Sequence, residues 1–210
     1  MQEVSKRWRL WAVAIFCFIA CALLGMLVSS RPPFGLDVSV AAWSGSATPL
    51  ALFFTALGRW YVLLPTAVCI AGFIAISHRD AIAVAALFGS QILGQGANAV
   101  VKLAFDRARP ANPILPEHDF SYPSGHAVTA VVFYAGLALL FARMRPLPRP
   151  LSTFGIAGLI VAVAGIPWSR VALGAHYATD VIGGLLFGTG WLSATFALYY
   201  QFLRRSRYSA

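Results

Sequence analysis

The stretch HYATDVIGGLLFGTGWLSATFALYYQFL, His176 to Leu203, sets an imidazole and the Asp180 carboxylate directly ahead of Val181 to Leu203, a run without one charged side chain. A helix of that length crosses the roughly 30 Å hydrocarbon layer of a bilayer, which needs about 20 apolar residues. Five further apolar stretches read the same way: Leu10 to Val28, Trp60 to Ser77, Ala81 to Val101, Ala127 to Ala142 and Leu151 to Trp168. The expected architecture is all-α, a polytopic membrane protein of six transmembrane helices forming one integral-membrane domain over residues 1–210.

Composition agrees, because 59% hydrophobic against 11% charged residues lies far from the balance of a soluble globular domain. With the N-terminus cytoplasmic, Lys6, Arg7, Arg9, Arg79, Arg143, Arg145, Arg149, Arg204, Arg205 and Arg207 fall inside. Arg31, Arg59, Lys102, Arg107, Arg109 and Arg170 fall outside. Four of those outer six belong to the candidate site, which leaves Arg31 and Arg59 as topology signals. Both termini are therefore expected in the cytoplasm and the motifs on the outer face. A signal peptide competes for the first apolar run, yet that run is long for one and either reading keeps the other helices' orientation.

The net charge of +9 is spread over loop ends with no aromatic-interleaved basic face, so anionic lipid headgroups are the expected partner and nucleic acid is not. Cys17, Cys21 and Cys69 fall at membrane depth with no metal-ligand spacing, and free buried thiols are expected. The segment Arg31 to Leu50 reads as an outer loop carrying a short interfacial helix near Val38 to Trp43. Trp43, Trp60, Tyr61, Tyr122, Trp168 and Tyr177 form a predicted aromatic belt on that side. Two stripes of small or polar residues, Ser90-Gly94-Asn98-Lys102 and His176-Asp180-Gly184-Gly188, recur every four residues and are expected to face the bundle interior.

Three clusters on the outer side carry the chemistry: Lys102 with Arg109-Pro110, Pro123-Ser124-Gly125-His126, and Ser169-Arg170 with His176 and Asp180. Hydrolysis of a phosphoester calls for cations on the non-bridging oxygens, a nucleophile, and a proton for the leaving group. Lys102, Arg109 and Arg170 suit the first task, the arginines as bidentate forks and the lysine as a point charge. Pro110 is expected to end the preceding helix. Ser124 could donate its hydroxyl or simply cap a helix, and Gly125 lets the main chain approach a ligand closely. His176 and Asp180, four residues apart, would stack one turn apart on a helix, the carboxylate fixing the ring. Composition does not say which of His126 and His176 attacks. His118, Asp119 and His126 invite a metal reading, but three neighbouring cations would repel one, so no metal or cofactor is expected. Asp106, Arg107, Glu117 and Asp119 are left open between loop ion pairs and headgroup selection, and His78 falls on the cytoplasmic side.

In order and spacing, Lys-x6-Arg-Pro, Pro-Ser-Gly-His and Ser-Arg-x5-His-x3-Asp resemble the three signature motifs of the type 2 phosphatidic acid phosphatase (PAP2) family, membrane relatives of haloperoxidases and bacterial acid phosphatases. No motif position is substituted, and Met1 to Val101 resembles the family in hydropathy alone. The resemblance implies a metal-independent lipid phosphatase in which His176 forms a phosphohistidine, Asp180 orients it, and His126 protonates the leaving oxygen. It implies Lys102, Arg109, Ser124, Gly125 and Arg170 as phosphate ligands and a bacterial inner membrane as the location, with the site facing the exterior. Family substrates include undecaprenyl pyrophosphate, toward which the analogy leans slightly, phosphatidylglycerol phosphate, phosphatidic acid and lipid A 1-phosphate. A lipid phosphotransferase using the same phosphohistidine is the alternative, followed by a non-catalytic lipid-phosphate binder or transporter. The oligomeric state is not read from the sequence.

Overall fold

A computed structural model describes residues 2–33, 35–41, 48–77, 81–111, 113–115, 117–143 and 149–208, and every secondary-structure element among them is helical. Trp43, His78, Arg79 and Arg145 lie outside the described residues. The helices are α1 (Gln2–Ser29), α2 (Gly35–Ala41), α3 (Thr48–Leu57), α4 (Trp60–Ser77), α5 (Ala81–Phe105), α6 (Gly125–Thr129), α7 (Gly136–Arg143), α8 (Arg149–Ala172) and α9 (Ala178–Tyr208). Helix α6 runs into α7 through a π-helical stretch, Ala130–Ala135, so the two form one crossing. Helix α2 is the short helix expected in the first outer loop.

Five helical segments are long and apolar enough to cross a membrane: Arg7–Ser29, Ile82–Phe105, Gly125–Ala142, Thr153–Ala172 and Ala178–Phe202. The remaining crossing departs from expectation. The sequence reading assigns it to Trp60–Ser77 alone, whereas α3 and α4 together form a pair bent by 51°. The bend is a turn closed by Gly58 N–H to the Thr55 carbonyl at 3.1 Å and Arg59 N–H to the Ala56 carbonyl at 3.1 Å. The chain is thus a multi-pass membrane protein with a broken helix on one flank.

Helix α9 is the central post, packed against α1, α2, α5, α6 and α8, while α3 packs against α8. The interior holds Leu87, Phe133, Leu137, Ile166 and Leu192 in one cluster and Cys21, Tyr122, Val128, Val132 and Phe187 in another. Large apolar side chains such as Phe16, Ile19 and Leu23 point outward from α1, as a lipid-facing surface requires. Of the cysteines, Cys17 and Cys21 are buried as expected, whereas Cys69 is exposed on α4. Tyr122 does not join the aromatic belt: it is fully buried and its hydroxyl donates to the Cys21 carbonyl at 2.5 Å.

Both small-residue stripes turn inward. Ser90 hydrogen-bonds Thr195 at 2.7 Å, and Gly94 lies against the Trp191 indole. A Cβ on Gly184 would stand 2.5 Å from the Ser124 carbonyl and 2.8 Å from Ala127 Cβ, so α9 meets the start of α6 at backbone distance. Helix α5 ends before Pro110 is reached: Asp106 adopts a left-handed backbone (φ 47°) just after Phe105 and its N–H bonds the Lys102 carbonyl at 3.0 Å. Replacing Gly184 with leucine is expected to force α9 from α6 and to cost about 1–3 kcal/mol. Thermal unfolding of the purified protein in micelles checks this, and an unchanged midpoint would show that the close approach is not needed.

Candidate active site

Four segments converge at one end of the bundle. Lys102 rides the last turn of α5, Arg109 the loop after it, Gly125 and His126 the first turn of α6, and His176 the loop between α8 and α9. All five line one cavity of about 490 Å³, together with Arg59, Glu117 and Asp119. Arg59, read from the sequence as a topology signal, therefore belongs to the cavity wall. Arg170 and Ser124 are fully buried and sit behind that wall.

His176 and Asp180 are not stacked on one helix, contrary to the spacing argument. Helix α9 begins at Ala178, so His176 precedes it and Asp180 falls in the first turn. There the carboxylate accepts the Tyr177 N–H at 2.8 Å, a third-position acid reaching back to the cap residue. The same oxygen, Oδ2, accepts the Ser121 hydroxyl at 2.5 Å and lies 3.6 Å from His176 Nδ1. On the ring's other side, Arg109 Nη1 lies 3.1 Å from Nε2. A guanidinium only donates, so Nε2 presents its lone pair and the proton resides on Nδ1, facing Asp180.

Asp180 is gripped from behind by a residue the sequence left open. Arg107 Nη1 donates to Asp180 Oδ1 at 2.5 Å and to Thr179 Oγ1 at 2.7 Å, while Nη2 reaches Asp37 Oδ2 at 2.9 Å. Asp37, which the sequence reading did not single out, also accepts the Thr179 N–H at 3.0 Å and so satisfies a free donor at the N-terminus of α9. Asp37 and Asp180 are at most 1% exposed, and the Tyr177 ring stacks on the Arg107 guanidinium at 4.5 Å. The signal that could have marked Asp37 is an acid near an apolar helix end, but nothing in the sequence names its partner.

The cations are also engaged. Asp119 bridges Lys102, at 2.8 Å, and Arg109, while Glu117 Oε1 takes Arg170 Nη2 at 2.5 Å and the other Arg170 nitrogen donates to Thr55 Oγ1 at 2.6 Å. Burial pushes the Asp119 carboxyl up, but Lys102 and Arg109 outweigh it and hold the group down at about 2. Asp119 is thus bound by two cations, and among the described residues no three His, Cys, Asp or Glu side chains are grouped to hold a metal.

His126 contacts the bend of the broken helix. Its ring hydrogen-bonds the Thr55 backbone, Nε2 has no hydrogen-bond partner, and a Cβ on Gly58 would collide with the ring. Ser124 holds the N-cap position of α6 without capping through its side chain, and its hydroxyl is buried and unpartnered.

Burial drives the His176 pKa down, the Asp180 contact opposes this, and the Arg109 and Arg170 charges add to the depression, leaving about 4. A lowered imidazole pKa means the neutral form persists as pH falls, until about 4. Nitrogen NMR of histidine-labelled protein in micelles is expected to show His176 neutral, with the proton on Nδ1, at pH 6. An imidazolium signature at that pH would contradict the geometry.

Comparison with known proteins places this arrangement. The PAP2 superfamily matches over residues 82–204, which contain all three motif clusters. Phosphatidylglycerophosphatase B of Bacillus subtilis (strain 168) is 34% identical over 64% of this chain, and an undecaprenyl-diphosphatase of Sulfolobus acidocaldarius is 30% identical over 69%. The match spans 66% of each relative's length, just under two thirds. The crystal structure of a transmembrane PAP2-type phosphatidylglycerolphosphate phosphatase from Bacillus subtilis superposes with a TM-score of 0.75 at 22% identity, covering 90% of this chain and 96% of that one. Sequence and fold agree with the motif geometry: the chain belongs to the PAP2 superfamily.

Proposed function

We propose that this protein is a metal-independent lipid phosphatase of a bacterial plasma membrane, acting on a lipid phosphomonoester or diphosphate through a phosphohistidine on the outer face. The observation that carries the reading is the unprotonated Nε2 of His176, met by Arg109 Nη1 at 3.1 Å, on a cavity also lined by Lys102 and His126. A nucleophile, cations and a second imidazole thereby share one wall, as in-line phosphoryl transfer requires. The motif match and the names of the relatives support the same activity.

The substrate phosphate displaces the Asp119 carboxylate from Lys102 and Arg109 and the Glu117 carboxylate from Arg170, with the Gly125 amide and Ser124 completing its ligands. His176 Nε2 attacks phosphorus with its lone pair while the bond to the leaving oxygen breaks. His126, protonated once the substrate dianion is seated beside it, donates its Nε2 proton to that oxygen. The Asp180 carboxylate offsets the positive charge that builds on the ring. Water then attacks phosphorus, neutral His126 taking its proton, and the P–N bond breaks to release inorganic phosphate. The outward placement rests on the excess of cations in the opposite loops and tails.

Purified protein in micelles is expected to release phosphate from at least one of undecaprenyl diphosphate, phosphatidylglycerol phosphate, phosphatidic acid and lipid A 1-phosphate. Release should persist in EDTA, be blocked by vanadate and vanish in His176→Ala. Activity lost in EDTA and restored by a divalent ion would refute the metal-free scheme, and label moving to an acceptor lipid would mark a phosphotransferase.

A monoester expels an alkoxide, whereas a diphosphate expels a far weaker base. His126→Ala is therefore expected to lower monoester kcat by about 100-fold or more and diphosphate kcat by less. Equal losses would remove His126 from the role of acid.

A further inference from the structure

The cavity continues past the cations into the membrane. Along α5 its wall passes from Lys102 to Asn98, Gln95 and Gln91, a descent of about 16 Å at 1.5 Å per residue. Thr129 of α6 faces the same space. Two of these amides are pinned. Gln91 Nε2 donates to Thr129 Oγ1 at 2.9 Å, and Gln95 Nε2 donates to Thr129 Oγ1 at 2.8 Å and to the Gly125 carbonyl at 3.0 Å. What is left over is acceptor capacity. Gln91 Oε1 and Asn98 Oδ1 are buried without a hydrogen-bond partner, on side chains that are 8% and 2% exposed. Buried oxygens of this kind cost free energy unless a donor meets them, most of all at bilayer depth.

Trp60, Tyr61 and Leu63 of α4 form another part of the cavity wall, with Trp60 and Tyr61 turned largely outward. The space therefore has a polar side and an aromatic, apolar side. A lipid whose terminal phosphate is held by Lys102 and Arg109 must place its leaving group immediately membrane-side of them, against the polar side, with its chains leaving past the apolar one.

Resting on the phosphatase reading above, we propose that Asn98, one turn membrane-side of Lys102 on α5, forms a leaving-group subsite that selects lipids bearing hydroxyl or amide N–H donors next to the scissile phosphate. Glycerol and amino-sugar headgroups supply such donors. A prenyl diphosphate supplies none, and its second phosphate would bring acceptor oxygens against acceptor oxygens. The subsite thus favours a polyol or sugar phosphomonoester over a prenyl diphosphate, against the slight lean of the sequence analogy. A site built to meet a hydroxyl discriminates strongly against analogues that lack it, because its own buried groups are then left unpaired.

The test measures kcat/KM for phosphatidylglycerol phosphate, lipid A 1-phosphate, phosphatidic acid and undecaprenyl diphosphate, using the unaltered protein, Asn98→Leu and Asn98→Ala. The alanine variant removes the same amide with a smaller side chain and serves if the leucine variant does not fold. The unaltered protein is expected to prefer the first two substrates. In the variants the ratio of hydroxylated to donor-free kcat/KM should fall by about two- to tenfold, the equivalent of one neutral hydrogen bond. Equal losses on all substrates would overturn the subsite, since they would mark a general hydration or packing role, and so would an unchanged ratio. A preference of the unaltered protein for undecaprenyl diphosphate would overturn it while leaving the phosphatase reading intact. Release from none of the four would overturn both.

Discussion

The carboxylate of Asp180 is the point on which the site depends. It accepts from Arg107, Ser121 and the Tyr177 amide and faces the His176 ring, so three separate stretches of chain are tied to two oxygen atoms. A carboxylate with that many donors is a poor proton acceptor and a good fixed charge. It therefore faces the imidazole as a fixed charge, which in the proposed reaction opposes the charge developing on the ring without taking its proton. Behind it, Arg107 is held between Asp37 and Asp180, and because the group is buried, loss of Arg107 would leave two carboxylates uncompensated. The same network caps α9, so the post of the bundle and the support of the His176 ring are one structure.

Lipid imposes the second constraint. Between helices in a bilayer, apolar surface alone gives no preference for a partner helix, and close backbone contact must do the work. Gly184 against Ser124 and Gly188 against Val128 bring α9 onto α6, setting His176 and His126 on a common cavity. The broken α3–α4 crossing adds the other side. Its turn offers the Thr55 carbonyl and a side-chain-free Gly58 to the His126 ring, so an irregular backbone at membrane level is used where protein covers it.

The acidic loop between the first two motifs supplies the counterions. Asp119 and Glu117 pair with three buried or half-buried cations, reducing their mutual repulsion across the cavity and leaving one positive charge over. In the proposed reaction a phosphate dianion competes for the same donors with more charge and more acceptor oxygens than either carboxylate.

The sequence by itself determined the apolar spans, the inward stripes and the order of the three motifs, because hydropathy, helical period and residue chemistry are local properties. Its errors are also local in origin. Spacing placed His176 on the helix with Asp180, but helix α9 starts two residues later, where Asp180 reaches back to the Tyr177 amide. Pro110 looked like the helix stop, yet the left-handed Asp106 had already ended α5. Only the tertiary structure decided which polar groups meet: Asp37 with Thr179 across 142 residues, Arg107 with Asp180 across 73, and the Gln91 amide with Thr129 across 38. Those pairings follow from how helices pack in three dimensions, and no one-dimensional period encodes them.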